Sequence, residues 1–241
     1  MREDWRELLV EMAAISPDMV TYLLPQLEDV VAMEDETIRL QGTELLANLF
    51  LLDECNIAAQ LPSLFTNSFL GRVNDVSSNV RLVAVEHAAR VLVKKTSLAT
   101  PLLKALEERV MDSSDKVRQA LVVAVCAGAE EHLDVFAPLL AIIAPRMGDK
   151  KQGVRKAARD GLCALYRAHA TAHLTEHPDA KTVPAELHCI PQQLLHCYGV
   201  DAGHDVESKL ELEQLLVAKM LPLDEQLRLR SFCALHAALQ P

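Results

Sequence analysis

The chain has 241 residues, of which 50% are hydrophobic and only 4% aromatic, and it contains 8 glycines. Long runs of Ala and Leu with few strand-forming residues predict an all-helical protein. The formal net charge of −10 argues against a non-specific nucleic-acid binder, which would carry a basic footprint. No run of about 18 uncharged apolar residues occurs, so no membrane-spanning helix is expected.

Apolar residues recur at helical spacing along most of the chain. In chain order, the predicted helices span residues 5–15, 17–32, 37–52, 62–72, 78–94, 97–111, 115–130, 132–146, 152–173, 186–198, 207–221 and 224–239. Pro25 is expected to kink the second helix, because its ring removes a backbone hydrogen bond. Residues 53–62 are predicted to form a loop.

A short signature recurs three times at the turns between these helices. It is Asn-Asp-Val-Ser-Ser-Asn-Val-Arg at 74–81, Met-Asp-Ser-Ser-Asp-Lys-Val-Arg at 111–118 and Gly-Asp-Lys-Lys-Gln-Gly-Val-Arg at 148–155. Each copy lies 37 residues after the previous one. A period between about 20 and 50 residues indicates a solenoid, in which each unit is a helix pair packed on its neighbours.

A weaker copy precedes these three, with Arg39 at the position of Arg81 but Met33 in place of the Asp. We predict one solenoid segment over 1–241, with its clearest repeats at 62–95, 97–130 and 132–173, an irregular polar insertion at 174–185 and further helices over 186–241. Both terminal helices are amphipathic without a polar capping repeat. The chain is therefore expected either to be a fragment or to need a partner on these apolar faces.

Helix pairs with an Asp in the turn and Val-Arg at the start of the second helix resemble HEAT repeats. The resemblance implies an all-α fold, a right-handed α-α superhelix of antiparallel helix pairs of the HEAT or armadillo type. It also implies a ladder of turn Asp and Arg side chains along the stack, made of Asp75, Arg81, Asp112, Arg118, Asp149 and Arg155. As exposed ion pairs these would contribute about 0–1 kcal/mol each and would set register more than stability.

The block at 69–166 is similar to one HEAT family in particular. Phe69-Leu-Gly-Arg-Val-Asn-Asp-Val, the stretch 107–118 and Asp149-Lys-Lys-Gln-Gly-Val-Arg-Lys-Ala-Ala-Arg-Asp-Gly-Leu resemble successive repeats of the Pds5 family of cohesin regulators. Weaker similarity extends from about residue 8 to the end. Val73 replaces a usual Phe, and His188-Cys189 stands where a Trp is often found, which indicates a divergent member.

The Pds5 resemblance implies a non-catalytic scaffold with no cofactor and no small-molecule substrate. Such a protein binds the cohesin ring through its kleisin subunit and works with a Wapl-type releasing factor. It maintains or releases sister-chromatid cohesion in the nucleus, where its association with chromatin is indirect. Family members are much longer, so the chain would be an internal stretch from the N-terminal part of the solenoid.

Basic residues cluster near the starts of the helices. The candidate partner-binding residues are Arg72, Lys116, Lys150, Lys151, Lys156 and Arg159. Stacked repeats would bring them into one band. The band is either a solvated edge beside the ladder or a docking surface for an acidic peptide or helix, which charge would steer into place.

Histidine and cysteine segments invite a metal-site interpretation, which we do not favour. His169, His173 and His177 have i, i+4, i+8 spacing, but Pro178 disfavours helical geometry at His177 and removes a third zinc ligand. The pairs His188-Cys189 and His196-Cys197 are separated by about 12 Å of helix rise and cannot share one metal unless the helix breaks. We predict no metal.

The six cysteines, at 55, 126, 163, 189, 197 and 233, follow no disulfide spacing, which favours a reducing compartment, the cytosol or the nucleus. Cys126 and Cys163 are 37 residues apart in apolar runs and are predicted to be core residues. Two alternatives to the cohesin scaffold are an unrelated HEAT adaptor for transport or a phosphatase, and a metal-dependent enzyme that uses the His/Cys segments at 163–204.

Overall fold

The computed structural model describes residues 5–16, 20, 22–52, 57–201 and 206–239, without the side chains of residues 201, 208 and 237–239. All regular elements in these ranges are helical, which confirms the all-α prediction for them. None of the helices described there is both long and apolar enough to cross a membrane. By its internal packing the chain divides into two compact units, Met1–Leu121 and Val122–Pro241.

The α-helices are labelled here in chain order. Those of the first unit are α1 (Trp5–Ile15), α2 (Leu24–Ala32), α3 (Glu36–Phe50), α4 (Ile57–Gln60), α5 (Ser78–Lys94) and α6 (Ala99–Glu107). The unit boundary falls within α7 (Asp115–Glu131). Those of the second unit are α8 (Leu133–Ile143), α9 (Gln152–Glu176), α10 (Cys189–Asp201), α11 (Val206–Gln214) and α12 (Glu225–Leu239).

Shorter segments with tighter or wider turns extend several of these helices. Two are π-helical, Leu64–Phe69 and Leu215–Met220. Four are 3₁₀-helical, namely Leu70–Asn74, Thr96–Leu98, Ala144–Gly148 and Ala185–Leu187. The predicted helix 62–72 thus exists as a helical stretch that changes from π to 3₁₀ geometry before the first repeat turn.

Helices α1 and α5 match the predicted helices 5–15 and 78–94 residue for residue. The kink predicted at Pro25 is wrong, because Pro25 lies in the first turn of α2, where proline is tolerated. Residues 17–19 and 21 of that predicted helix lie outside the described residues. Within the predicted loop 53–62, α4 is helical and residues 53–56 lie outside the description.

The longest helix also ends later than the sequence predicts. Helix α9 runs to Glu176, three residues into the predicted insertion at 174–185. Its last backbone bond is donated by His177 N–H to His173 O at 2.9 Å. Pro178 follows, and its ring disfavours helical geometry at the preceding residue. The sequence therefore predicts that the helix ends before Pro178, but it places the last helical residue three positions too early.

The core of the first unit is centred on α3, which packs against α2 and α5. Phe50 meets the rings of Phe65 and Phe69 at centroid distances of 5.2 and 5.4 Å. A Cβ atom at Gly42 would lie 2.7 Å from Val31 Cγ1, so α3 and α2 approach closely there and a larger residue would force Val31 to shift.

The core of the second unit is packed through glycines as well. A Cβ atom at Gly128 would lie 2.3 Å from Phe136 Cζ, and one at Gly161 would lie 3.0 Å from Cys126 Sγ. Cys126 and Cys163 are buried, as predicted, and burial raises the pKa of each thiol to about 12. Both thiols therefore stay protonated at neutral pH and serve as packing groups.

Candidate functional site

Each of the three repeat turns is closed by an arginine three residues before the Asp. Nη1 of this arginine meets Oδ2 of the Asp at 3.0, 3.1 and 2.9 Å in the pairs Arg72–Asp75, Arg109–Asp112 and Arg146–Asp149. Oδ1 of each Asp accepts the backbone N–H two residues later, at 2.8 to 2.9 Å. The turn carboxylate is thus held on both oxygens within its own repeat.

The arginine six residues after each Asp binds that residue's carbonyl oxygen. Nη1 donates at 2.8, 2.7 and 2.8 Å in the pairs Arg81–Asp75, Arg118–Asp112 and Arg155–Asp149. Arg39 donates in the same way to Met33 O at 3.0 Å. The weaker copy therefore keeps the turn geometry without its Asp, because the contact uses the backbone.

The other two nitrogens of these arginines reach the next repeat within the first unit. Nε and Nη2 of Arg39 bind the two carboxylate oxygens of Asp75 at 2.9 and 3.1 Å. The same atoms of Arg81 bind Asp112 at 2.8 and 2.9 Å. Each arginine holds its own turn with one nitrogen and the following turn with two, a bidentate geometry that suits guanidinium and carboxylate groups.

The expectation that these ion pairs are exposed is wrong. The exposed fractions of the side chains are 9% and 2% for Arg39 and Asp75, and 10% and 1% for Arg81 and Asp112. Stacking of consecutive turns encloses each pair between them, which periodicity alone does not reveal. A buried pair is costly to break, since the remaining charge has no water to solvate it.

Burial by itself would raise the pKa of the Asp75 and Asp112 carboxyls. The hydrogen bonds from Arg39 or Arg81 and from the backbone, together with the arginine charges, lower each pKa below its ordinary value of 3.8. The hydrogen bond to the carboxylate likewise raises the pKa of Arg39 and of Arg81 above the ordinary value of an arginine. The buried pairs Arg39–Asp75 and Arg81–Asp112, which we call joints, are therefore fully ionised at neutral pH.

A groove of about 730 Å³ opens in the second unit beside the turn at 149–155. One wall is the start of α9 and the turn before it, and the other is α11 with the π-helical segment. The lining residues that carry charge are Asp149, Lys150, Arg155, Lys156, Arg159, Asp160, Glu211 and Lys219. Two ion pairs join the walls, Lys219 Nζ–Asp160 Oδ1 at 2.5 Å and Arg159 Nη1–Glu211 Oε2 at 3.4 Å.

Repeated turns with buried joints between packed helices are typical of a repeat protein. Comparison with known proteins identifies the family of repeat proteins. The family model described as "Sister chromatid cohesion protein PDS5 protein" matches residues 3–241. The chain belongs to the PDS5 family. The Pds5 resemblance, which is specific in the block at 69–166 and weaker from about residue 8 to the end, is thereby confirmed.

PDS5 proteins of vertebrates are similar to this chain along almost all of its length. PDS5 homolog A of Gallus gallus is 30% identical over 239 residues, and that of Homo sapiens is 31% identical over 239 residues. Each match covers 98% of this chain and 17% of the relative. Human PDS5 homolog B is 29% identical over 236 residues, 97% of this chain and 16% of the relative. The chain thus spans about a sixth of these proteins.

A solved structure shows the same fold. The Pds5 chain of a Pds5–Scc1 complex, described with implications for cohesin function, matches 95% of this chain with a TM-score of 0.75 at 15% sequence identity, over 35% of its own length. This PDS5 structure is a HEAT-repeat solenoid. The predicted fold class, an all-α solenoid of the HEAT type, is confirmed.

The candidate partner-binding residues fall into two groups in this PDS5 chain. Lys116, Lys150, Lys151 and Lys156 are exposed. Arg72 donates to Val31 O at 2.9 Å as well as to Asp75, and Arg159 is only 5% exposed and donates to Met147 O at 3.0 Å. The two arginines bind within the fold, whereas the four lysines present their charge to solvent.

Sequence reasoning misses one feature that the sequence does carry. Arg109 and Arg146 follow Arg72 at the same 37-residue step as the turn Asp residues, so the signature is Arg-x-x-Asp-x5-Arg.

The histidine and cysteine segments do not converge in the structure. His169 Nε2 lies 2.9 Å from Ala129 O, and His188 Nε2 lies 3.2 Å from Val183 O. The rings of His173 and His177 meet at 4.8 Å between centroids. Among the described residues, no three His, Cys, Asp or Glu side chains are placed to hold a metal ion.

Proposed function

We propose that this PDS5 chain is a non-catalytic scaffold segment that binds cohesin through its kleisin subunit and takes part in regulating sister-chromatid cohesion. Family membership over residues 3–241 carries the proposal, and the likeness to the Pds5 chain of a Pds5–Scc1 complex supports the kleisin as the partner. Because the chain belongs to the PDS5 family, we no longer retain the alternative of an unrelated HEAT adaptor.

The proposal includes several finer statements that follow from the Pds5 resemblance. The segment 1–241 forms one continuous HEAT solenoid, resides in the nucleus and contacts chromatin indirectly. It cooperates with a Wapl-type releasing factor, in the maintenance or the release of cohesion. The metal-dependent enzyme is set aside, because the described His and Cys side chains bind backbone carbonyls or lie apart rather than around a common centre.

The exposed lysines are the proposed contact surface. Lys150, Lys151 and Lys156 lie around the turn that opens α9, and Lys116 lies at the equivalent turn of the first unit. In a chain with a net charge of −10, exposed lysines at these turns are local exceptions that attract an acidic segment and speed its association.

The test is a pull-down of the purified chain with the N-terminal part of a cohesin kleisin at two salt concentrations. We expect binding that weakens as salt rises. The triple variant Lys116→Glu, Lys150→Glu, Lys151→Glu should lose most of it, while the matched reversal of the exposed Lys104 and Lys181 should not. Unchanged affinity in the folded triple variant removes the lysine surface, and no binding by the unmodified chain removes the kleisin proposal.

A further inference from the structure

The guanidinium of Arg155 is held in the same way as those of Arg39 and Arg81. Its Nη1 donates to the carbonyl oxygens of the residues six and five positions earlier, Asp149 and Lys150, at 2.8 and 3.1 Å. The equivalent distances are 3.0 and 2.6 Å at Arg39, and 2.8 and 3.2 Å at Arg81. Because the same nitrogen binds the same two carbonyls in each case, the edge that carries Nε and Nη2 faces away from the turn.

The Nε–Nη2 edge of Arg155 has no acceptor among the residues that the structure describes. At Arg39 and Arg81 this edge binds both oxygens of an Asp carboxylate in the next repeat turn. The residue 37 positions after Asp149 is Glu186. Glu186 is exposed and does not line the groove beside Arg155. The repeat step that supplies a carboxylate twice in the first unit therefore supplies none to this arginine.

The groove beside Arg155 is basic where its charges are not paired. Each of the three acidic residues that line it is already in an ion pair, namely Asp149–Arg146, Asp160–Lys219 and Glu211–Arg159. Lys150 and Lys156 also line the groove, are exposed and form no ion pair within the described part of the chain. Arg155 and these two lysines are thus the cationic groups that an anionic ligand in the groove can bind.

The ligand that suits this edge has a counterpart within the protein itself. In both joints the edge binds a single Asp side chain, which gives one oxygen to each nitrogen. Arginine favours such a bidentate contact, whereas a lysine ammonium is a point charge that attracts an anion without orienting it. The groove of about 730 Å³ lies in the range of roughly 300–1,000 Å³ that is typical of clefts that bury a ligand. It can therefore admit a side chain of a bound polypeptide.

We infer that Arg155 is a carboxylate-binding site, and that an Asp or Glu side chain of an acidic polypeptide segment binds it in place of a turn Asp. The two carboxylate oxygens accept from Nε and Nη2, as those of Asp75 and Asp112 do in the joints. Lys150 and Lys156 attract neighbouring carboxylates of the same segment. The inference rests on the proposed function for the natural source of that segment, the kleisin, and its chemistry is tested without it.

The probe is the acetylated and amidated peptide Gly-Glu-Asp-Glu-Gly, titrated into the intact chain and followed by NMR of the arginine Nε–H groups. The comparison peptides are Gly-Gln-Asn-Gln-Gly and a peptide of comparable net charge with two phosphoserines and no carboxylate. We expect the Arg155 resonance, identified by its absence in Arg155→Lys, to shift with the acidic peptide and not with the amide peptide. No shift would overturn the inference. Tighter binding of the phosphopeptide would assign the site to phosphate and overturn the carboxylate assignment.

Variants show whether the fork or the charge binds the peptide. Arg155→Lys keeps the charge and loses the bidentate edge, so it should weaken the acidic peptide about tenfold. The matched change Arg90→Lys, at an exposed position of the first unit, should leave the affinity unchanged. Lys150→Gln with Lys156→Gln should weaken the peptide less, about threefold, and reduce its salt dependence. Unchanged affinity in Arg155→Lys would mean that charge alone binds the peptide and would overturn the inference.

Urea unfolding separates this binding role from a structural one. Arg81→Lys disrupts a joint and leaves the buried Asp112 carboxylate without its bidentate partner, so its unfolding midpoint should fall clearly. Arg155→Lys breaks no such joint and should fall less. An equal fall in the two variants would mean that a carboxylate of the chain already binds the Arg155 edge, and it would also overturn the inference.

The kleisin fragment distinguishes this inference from the proposed function. If the acidic peptide responds to Arg155→Lys but the fragment does not bind the chain, the carboxylate site stands and the proposed function fails. If the fragment binds and the peptide gives no Arg155 shift, the proposed function stands and the carboxylate site fails. Binding of the fragment that Arg155→Lys weakens supports both.

Discussion

Replacing Asp112 by alanine removes the joint between two repeats of the first unit. The Asp112 carboxylate accepts bonds from Arg81 Nε and Nη2, Arg109 Nη1 and the Ser114 N–H, at 2.8, 2.9, 3.1 and 2.8 Å. Its side chain is only 1% exposed. The substitution therefore leaves one arginine that is 10% exposed and another that is 20% exposed without their counter-ion.

The expected loss follows from that burial. Removing one partner of a buried pair costs about 3–5 kcal/mol, whereas an exposed pair contributes about 0–1 kcal/mol. With a urea slope of about 2 kcal/mol per molar, the unfolding midpoint of Asp112→Ala should fall by roughly 2 M. The matched control is Glu44→Ala, which breaks a 3.8 Å contact with Arg6 between side chains that are 41% and 26% exposed.

The assay is urea unfolding followed by far-ultraviolet circular dichroism, with both variants measured beside the unmodified chain. Glu44→Ala should stay within about 1 kcal/mol of it. An Asp112→Ala midpoint shift no larger than that of Glu44→Ala would refute the argument. It would mean that Arg81 finds another acceptor and that the joint contributes nothing net to stability.

The pH dependence of the same joint has a definite sign. The pKa of Asp112 is lowered in the folded chain from its ordinary value of 3.8, so the unfolded chain takes up the proton first as pH falls. The contribution of the ionised carboxylate is complete above about pH 4 and is lost below it. The difference in stability between the unmodified chain and Asp112→Asn should be constant above that pH and shrink below it. A difference that grows on acidification would contradict the sign.

Two further predictions concern the second unit. Gly128→Ala should destabilise the chain by about 1–3 kcal/mol, because its Cβ would lie 2.3 Å from Phe136 Cζ; Phe136→Leu should recover part of the loss, and equal loss in both backgrounds would show that the contact is not the cause. Under native conditions at neutral pH, an alkylating reagent should modify the exposed Cys233 and spare Cys126 and Cys163, whose pKa values burial raises to about 12. Mass spectrometry of digested protein checks this, and modification of either buried thiol before unfolding would contradict it.

The helices and the repeat were predictable because both depend on spacing along the chain. Apolar spacing placed α1 and α5 to the residue, and the Asp and Arg positions marked the turns. The role of Arg109 and Arg146 also has a sequence signal, the 37-residue step that they share with Arg72. The burial of Arg81 against Asp112 has none, since it depends on how closely two turns stack.

The groove in the second unit could not be predicted from the spacing of residues along the chain. Its walls are formed by residues such as Arg159 and Glu211, which lie 52 positions apart, whereas the repeat step is 37. The insertion after α9 shifts the register, so periodicity no longer indicates which residues face each other. The π-helical segment Leu215–Met220 adds a wide turn that apolar spacing does not distinguish from an α-helix.

The dual use of Arg39 and Arg81 has a consequence for how the first unit opens. Because each guanidinium bridges its own turn and the next, neither turn can loosen without removing two of the hydrogen bonds that the neighbouring carboxylate accepts. Nearest-neighbour coupling of this kind makes a stack behave as one cooperative block rather than as a row of independently fraying segments. The amides around the turns at 75 and 112 should then exchange their hydrogens together, at the rate set by the opening of the whole block.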